Sequence, residues 1–204
     1  MVKFPRIAFA ALIGLVLAVP SLGSEDTSQA LFIRSLADQA FQMLGDNTIS
    51  LEERETRFRQ LLKKGFAMNT IGRVVTGRHW RKMSPDQKSE YLGLFSDWTV
   101  KIYSSRLGGY SGQTLEIIKT VNAKKKAVFV RTRISQPGGG KSITCDFRVG
   151  NFKGELKIVD IVVEGISMLI TQKAEFSALL KQRGVGGLIE MLRARNSKLP
   201  AVSG

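Results

Sequence analysis

The side chains that could perform catalysis are few in this chain and stand far apart. His79 is the only histidine, and it lies between Arg78 and Trp80. The positive charge of Arg78 disfavours protonation of the imidazole, which a general acid requires. Cys145 is the only cysteine and stands among alternating apolar residues, where burial disfavours the thiolate that a nucleophile requires. We therefore expect a protein that is not an enzyme.

Metal and nucleotide sites are also not indicated. No group of histidine, cysteine and carboxylate residues has the spacing of metal ligands. The glycine-rich segment 137–141 is expected to join two strands, whereas a phosphate-binding loop opens a helix. We therefore expect no metal and no cofactor, and the single cysteine can form no internal disulfide.

The N-terminus has the pattern of a secretory signal peptide. Two basic residues precede an apolar stretch over residues 7–19, and small residues spaced two apart follow it. The stretch is shorter than the roughly 20 residues that cross a bilayer as a helix. We therefore expect residues 1–23 to be a signal peptide that is cleaved near Gly23, and residues 24–204 to form one exported domain.

The chain is strongly basic, with a formal net charge of +14. Subtracting Lys3 and Arg6 leaves +12 for the exported domain. Because export separates the protein from nucleic acid, its acidic partner would be anionic lipid headgroups or an acidic protein face. The excess charge is equally compatible with a role in solubility alone.

Helical signals occupy the first half of the domain. Apolar residues recur at every third or fourth position over residues 30–44, which predicts an amphipathic helix. A capping-box pattern at Ser50 opens a second helix, and a third is expected over residues 70–75. Residues 84–87 combine an N-cap, a proline and a capping partner, which predicts a fourth helix that ends before Gly108.

After Gly112 the period of the apolar residues changes from about 3.6 to 2, which indicates β-strands. The connections are short and rich in turn residues, which favours an antiparallel meander. The intervening strand residues, which include Asp146 and Asp160, are expected to face solvent. The four predicted strands lie around residues 115–117, 128–134, 143–149 and 159–163.

Two C-terminal helices are predicted, over residues 167–182 and 187–195. Helices that precede and follow the strands of one antiparallel sheet along the sequence are typical of an α+β domain. The expected fold therefore has N-terminal helices, a curved four-stranded antiparallel sheet and C-terminal helices. We expect one domain that is a monomer.

Two sequence motifs span most of the chain. The first comprises residues 71–80 and 84–87, Phe95, Tyr103, Leu107 and residues 110–112. The second comprises residues 160–167 with Phe176 and residues 187–192. In composition, order and spacing they resemble the signatures of the MlaC family, also called toluene-tolerance auxiliary proteins. That family usually has arginine where this chain has Lys173, which keeps the charge but lacks the planar fork of donors.

The resemblance implies a periplasmic shuttle that carries phospholipid between an outer-membrane lipoprotein complex and an inner-membrane ABC transporter complex. Such a shuttle maintains outer-membrane lipid asymmetry, contacts the membrane surface transiently and holds bound lipid only as cargo. A sibling branch associated with hopanoid synthesis shares the signatures, so a carrier of hopanoid or another apolar ligand stays open. A non-catalytic exported adaptor that binds no small molecule is the remaining alternative.

The resemblance also implies an apolar cavity between the sheet and the helices. The residues expected to contact lipid there are Val74, Trp80, Leu94, Phe95, Trp98, Ile102, Ile117, Val128, Val130, Ile143, Phe147, Ile161, Val163, Ile166 and Phe176. The cations expected to meet a headgroup or a docking partner are Arg73, Arg78, Arg81, Lys82 and Lys173. An ordinary core would use the same apolar residues, and a solvated surface the same cations.

The segment 163–168 is expected to connect the last strand to the helix that carries Phe176. Gly165 permits a tight exit from the strand, and Ser167 is suited to cap the helix. We expect Glu164 to face solvent. The glutamate and the serine are therefore interpreted as structural residues.

Overall fold

The computed structural model describes residues 27–46, 48–104, 112–123 and 127–198, and these contain five α-helices and five β-strands. In chain order the elements are α1 Ser28–Gly45, α2 Leu51–Gly65, α3 Met68–Thr76, a 3-10 helix Gly77–Lys82, α4 Pro85–Ser104, β1 Thr114–Asn122, β2 Val128–Ser135, a 3-10 turn Pro137–Gly139, β3 Ile143–Phe152, β4 Glu155–Val163, β5 Ile166–Ser167 and α5 Met168–Lys198. The predicted signal peptide lies outside the described residues.

The predicted helix starts are confirmed by their hydrogen bonds. At α4, Ser84 Oγ accepts from the Gln87 N–H at 3.1 Å and Gln87 Oε1 accepts from the Ser84 N–H at 3.0 Å, so both halves of the capping box form. At α2, Ser50 Oγ accepts from the Glu53 N–H at 3.1 Å. The Glu53 carboxylate accepts from Arg57 at 2.8 Å.

All five described strands belong to one antiparallel sheet with the order β1-β2-β3-β4-β5. The expected α+β class is confirmed, but the expected number of four strands is wrong. The fifth strand, β5, follows a turn in which Glu164 and Gly165 have φ of 48° and 82°. A strand of two residues is too short to show an alternating pattern in the sequence.

A β-bulge in β4 reverses its alternation. Val149 of β3 pairs with Ile158, whereas the preceding Arg148 pairs with Asp160, so Val159 is an extra residue in the ladder. Ile158 is consequently buried. Asp160 is only 8% exposed, so the prediction that it faces solvent is wrong. The start of α5 covers its carboxylate.

The core has one part between helices and another between helix and sheet. Ile33 of α1 packs in one cluster with Ile117 and Val130 of the sheet. In the other, α3 approaches α4 closely, because Gly72 has no side chain and a Cβ there would lie 2.9 Å from Leu92 Cδ2. The Tyr91 hydroxyl donates to the Gly72 carbonyl at 2.9 Å, which fixes the two helices together.

The two predicted C-terminal helices are continuous except at one residue. Gly184 has φ of 65° and ψ of −169°, which interrupts α5. The segment after the break buries Leu188 and Leu192 against the helical core. Within the described ranges, no helix combines the length and apolar composition needed to span a bilayer.

Candidate functional site

An apolar cavity of about 440 Å³ lies between the sheet and the helices, where the family resemblance implied one. Each of the five helices and each of the four long strands contributes at least one residue to its wall. Its lining residues are Ile33, Leu36, Ala37, Ala40, Phe41, Phe58, Leu61, Leu62, Phe66, Met68, Ile71, Phe95, Trp98, Thr99, Tyr103, Leu115, Ile134, Phe147, Ile158, Val159, Asp160, Ile161, Val163, Met168, Leu169 and Gln172. Nearly all of them are apolar, and this suits a hydrocarbon ligand.

Five of the residues predicted to contact lipid line this cavity. Phe95 and Trp98 contribute from α4, and Phe147, Ile161 and Val163 contribute from β3 and β4. The two strands place these side chains together because Phe147 pairs with Ile161 in the antiparallel ladder.

The other predicted lipid contacts lie elsewhere. Ile117, Val130 and Phe176 are buried in the packed core, and Ile166 is 60% exposed on the surface. Val74 and Trp80 line a different concavity. Leu94, Ile102, Val128 and Ile143 are partly buried and do not line the cavity.

Most of the cavity wall was not predicted from sequence. A large part of it comes from α1 and α2, with Ala40, Phe41, Phe58 and Leu61 among its residues. The apolar stripe of α1 was visible in the sequence. Nothing in that stripe distinguished a helix that packs on a core from one that faces a cavity.

Polar groups in the wall are mostly satisfied by the protein itself. Thr99 Oγ1 donates to the Phe95 carbonyl at 2.7 Å. Asp160 accepts from the Ser167 hydroxyl at 2.6 Å and from the Leu169 N–H at 3.0 Å. These bonds leave the carboxylate fully engaged with the start of α5.

One residue of the wall, Trp98, has a buried donor that no described residue satisfies. The indole nitrogen of Trp98 is buried and has no acceptor in the part of the chain that the structure describes. Tyr103, about one and a half turns further along α4, is 42% exposed. The indole nitrogen is enclosed by the protein, whereas the Tyr103 side chain reaches solvent.

The predicted cations lie together on a second surface, an open concavity of about 430 Å³ that we call the basic concavity. It is lined by Arg73, Val74, Gly77, Arg78, Trp80 and Arg81. Lys173 adjoins it, because a side-chain carbon at Gly77 would lie 3.7 Å from Lys173 Cε. Lys82 follows Arg81 directly and is also exposed.

The basic concavity carries uncompensated charge. Within the described ranges, no ion pair involves any of the five predicted cations, which are Arg73, Arg78, Arg81, Lys82 and Lys173. The Lys88 ammonium adds a further cation, because it lies 5.6 Å from the centre of a Trp80 ring. Clustered cations without acidic partners favour an anionic ligand or surface.

Helix α3 separates the two concavities. Met68 and Ile71 line the apolar cavity, whereas Arg73 and Val74 line the basic concavity. Ile71 and Arg73 are two positions apart and therefore point to opposite sides of the helix. The predicted cations are therefore assembled as a group, but behind the cavity wall.

The thiol of Cys145 is buried. Burial raises the pKa of Cys145 to about 12, with a smaller contribution from the neighbouring Asp146, so the thiol is protonated at neutral pH. Among the residues that the structure describes, no three histidine, cysteine or carboxylate side chains form a group that could hold a metal ion.

Comparison with known proteins identifies the family. The family model described as MlaC protein matches residues 34–194. The intermembrane phospholipid transport system binding protein MlaC of Haemophilus influenzae is 23% identical over 180 residues, which cover 85% of this chain and 84% of that protein. A phospholipid-binding protein from Ralstonia solanacearum, solved in complex with a phospholipid, has a similar fold, with a TM-score of 0.71 and 23% identity over 83% of this chain and 97% of that one. The chain belongs to the MlaC protein family.

Proposed function

We propose that this protein is a phospholipid carrier that holds the acyl tails of its cargo in the apolar cavity. The observation that carries the proposal is the cavity itself, which has about 440 Å³ of space and a wall that is almost entirely apolar. The printed names of the relatives from H. influenzae and R. solanacearum, which describe phospholipid transport and phospholipid binding, support the same ligand class.

A covered cavity is what transport of such a lipid requires. Each methylene exposed to water costs about 0.8 kcal/mol, so a lipid with about 30 methylenes cannot cross water uncovered. Transfer from the apolar interior of a membrane into an apolar cavity is nearly balanced in free energy. The carrier therefore supplies solubility for the tails, and partners that load or empty it supply direction.

Within this proposal the protein works in the periplasm between two membrane assemblies. One is an inner-membrane ABC transporter complex, and the other is an outer-membrane lipoprotein complex. Its role is to maintain the lipid asymmetry of the outer membrane. It is a carrier and not an enzyme, so hydrolysis of a lipid ester by the purified protein would contradict the proposal.

We assign docking to the basic concavity. Arg73, Arg81 and Lys173 are exposed and unpaired among the described residues, and α3 lies between them and the cavity. A headgroup that stays connected to tails in the cavity would have to pass around that helix. An acidic face of a partner complex or an anionic membrane surface meets the cations without this obstacle.

The first experiment identifies the cargo. The exported protein is purified from its native host without detergent, and native mass spectrometry and solvent extraction measure what is bound. Phospholipid in about equimolar amount is the expected result. If the bound molecule were a hopanoid, the protein would be a hopanoid carrier. If no preparation contained lipid, the protein would be better described as an adaptor.

The second experiment tests docking separately from binding. Reversal of Arg73 and Arg81 to glutamate is expected to leave the bound lipid in place but to reduce its delivery to the ABC transporter complex in proteoliposomes. The matched control reverses Arg34 and Lys63, two exposed cations on α1 and α2. Equal delivery by both double variants and the wild type would rule out the basic concavity as the docking surface.

A further inference from the structure

Two isoleucines at the start of α5 are exposed to solvent. Ile170 is 67% exposed and Ile166 is 60% exposed, more than any other large apolar side chain that the structure describes. They stand on either side of Ser167, whose hydroxyl oxygen accepts from the Ile170 N–H at 3.0 Å and caps the helix. A single exposed apolar residue is common on a protein surface, but these two are held within one turn of each other. We call Ile166 and Ile170 the isoleucine pair.

The isoleucine pair adjoins the basic concavity. Ile170 and Lys173 are three positions apart on α5 and are therefore neighbours on its surface. A side-chain carbon at Gly77, which lines the basic concavity, would lie 3.7 Å from Lys173 Cε. Val74 lines the same concavity and is a further apolar residue that is 36% exposed. Lys173 therefore connects the isoleucine pair with the arginines of the concavity.

The acidic residues of the same segment do not neutralise this surface. The Glu164 carboxylate accepts from the Thr144 N–H. The Glu175 carboxylate accepts from the Gln172 amide at 3.1 Å. Glu175 is also five positions after Ile170, which places it about 140° around the helix. The isoleucine pair is therefore bordered by cations on the side of the basic concavity.

The first turns of α5 also form part of the cavity wall. Met168, Leu169 and Gln172 line the apolar cavity, whereas Ile170 and Lys173 do not. One side of this helix segment therefore faces the lipid site, and another side faces solvent. Any surface that contacts the outer side lies against the wall of the cavity.

We infer that the isoleucine pair inserts among the headgroups of an anionic bilayer while the cations of the basic concavity contact lipid phosphates. The inference rests on the docking role proposed for the basic concavity and names an anionic membrane as the partner. Exposed apolar side chains next to cations suit such a membrane, because it presents negative charge with an apolar layer directly beneath. An acidic protein face supplies the charge but leaves both isoleucines against polar groups.

The first test measures binding to vesicles. The full exported chain, purified with its lipid, is floated with vesicles of phosphatidylcholine alone or mixed in equal parts with phosphatidylglycerol. We expect binding to the mixed vesicles, and we expect added salt to weaken it. The isoleucine variant, which combines Ile166→Thr with Ile170→Gln, should bind about tenfold more weakly because two partly buried apolar side chains are lost. Its salt dependence should match that of the wild type, since no charge changes.

The matched control combines Val121→Thr with Leu31→Gln. These are comparable exchanges at a strand residue and a helix residue that are exposed elsewhere on the protein. The control should bind the mixed vesicles as the wild type does. Circular dichroism and native mass spectrometry should show that both double variants are folded and retain their lipid. An equal loss of vesicle binding in both would overturn the inference.

The second test detects insertion directly. An environment-sensitive fluorophore is attached through Ile170→Cys, and the buried Cys145 does not compete for the label. Mixed vesicles should shift the emission to shorter wavelength, because the label enters an apolar layer. The same label attached through Leu31→Cys should show no shift. Vesicle-bound protein without a shift at position 170 would overturn the inference.

The remaining outcomes separate the inference from the proposed function. A wild type that does not bind the mixed vesicles, or an isoleucine variant that binds them as the wild type does, would overturn the inference alone. If that variant bound vesicles normally but delivered lipid poorly to the ABC transporter complex in proteoliposomes, the isoleucine pair would belong to a protein contact instead. The carrier function is tested by the bound lipid, so only protein that contains none would contradict it.

Discussion

The Ser167 hydroxyl donates a hydrogen bond to Asp160, with 2.6 Å between Oγ and Oδ2. The second carboxylate oxygen of Asp160 accepts from the Leu169 N–H at 3.0 Å, and Ser167 Oγ accepts from the Ile170 N–H at 3.0 Å. These three bonds connect β4 to the first turn of α5. They also fix Met168 and Leu169 in the cavity wall.

Removal of this connection should destabilise the fold. Asp160→Ala leaves the Leu169 N–H without its acceptor and removes a negative charge from a helix N-terminus, so we expect the free energy of unfolding to fall by about 1–3 kcal/mol. Urea unfolding followed by circular dichroism measures the change. Asp38→Ala, at an exposed position on α1, is the control and should change it by less than about 0.5 kcal/mol. Similar losses in both variants would contradict a structural role for Asp160.

Filling the cavity should displace its lipid. Ala40 of α1 lines the cavity, so a tryptophan there would occupy space that the tails require. We expect Ala40→Trp to reduce the phospholipid that co-purifies several-fold, measured by extraction and phosphate analysis. Leu31→Trp on the same helix is the control, since Leu31 is 53% exposed and does not line the cavity. Unchanged lipid in a folded Ala40→Trp protein would place the cargo elsewhere.

The two tryptophans should report on the two concavities separately. Trp98 lines the apolar cavity and Trp80 lines the basic concavity. In Trp80→Phe, the remaining indole emission should change when lipid is added to delipidated protein, because the surroundings of Trp98 change. In Trp98→Phe, lipid should leave the emission of Trp80 nearly constant. If lipid changed the emission of Trp80 and left that of Trp98 constant, the cargo would lie in the basic concavity.

Stability should decline at alkaline pH partly because of Cys145. Burial raises its pKa from 9.0 to about 12, so the thiol keeps its proton in the folded state and loses it in the unfolded state. Above about pH 9 the unfolded state therefore binds fewer protons, and the free energy of unfolding falls as pH rises. Urea unfolding between pH 8 and about 10.5 should show a shallower decline in Cys145→Ala than in the wild type. Identical slopes would mean that the thiol titrates alike in both states.

Local features of the fold were predictable because neighbouring residues create them. The capping box of Ser84 and Gln87 involves residues three apart, and both of its bonds form. The interruption of α5 at Gly184 likewise follows from a residue that adopts a positive φ without strain. Each of these signals depends only on residues that lie within about one helical turn of each other in the sequence.

The strand faces were predictable only as far as the alternation is regular. The extra residue Val159 moves Ile158 into the core, and the start of α5 covers Asp160. A bulge depends on how β4 pairs with β3, which the sequence of β4 alone does not specify. The same limit applies to β5, whose two residues pair with Val162 and Val163 through a turn.

The sequence by itself determined the class of the fold, the order of its elements and the family, because these depend on periodicity, caps and ordered motifs. Only the tertiary structure decided that Phe95 and Phe147 face a cavity while Ile117 and Phe176 are packed in the core. An apolar period shows that a residue faces inward, but it does not show whether another side chain fills the space opposite. That space is set by the packing of α1 and α2 over the sheet, which brings together residues distant in the chain.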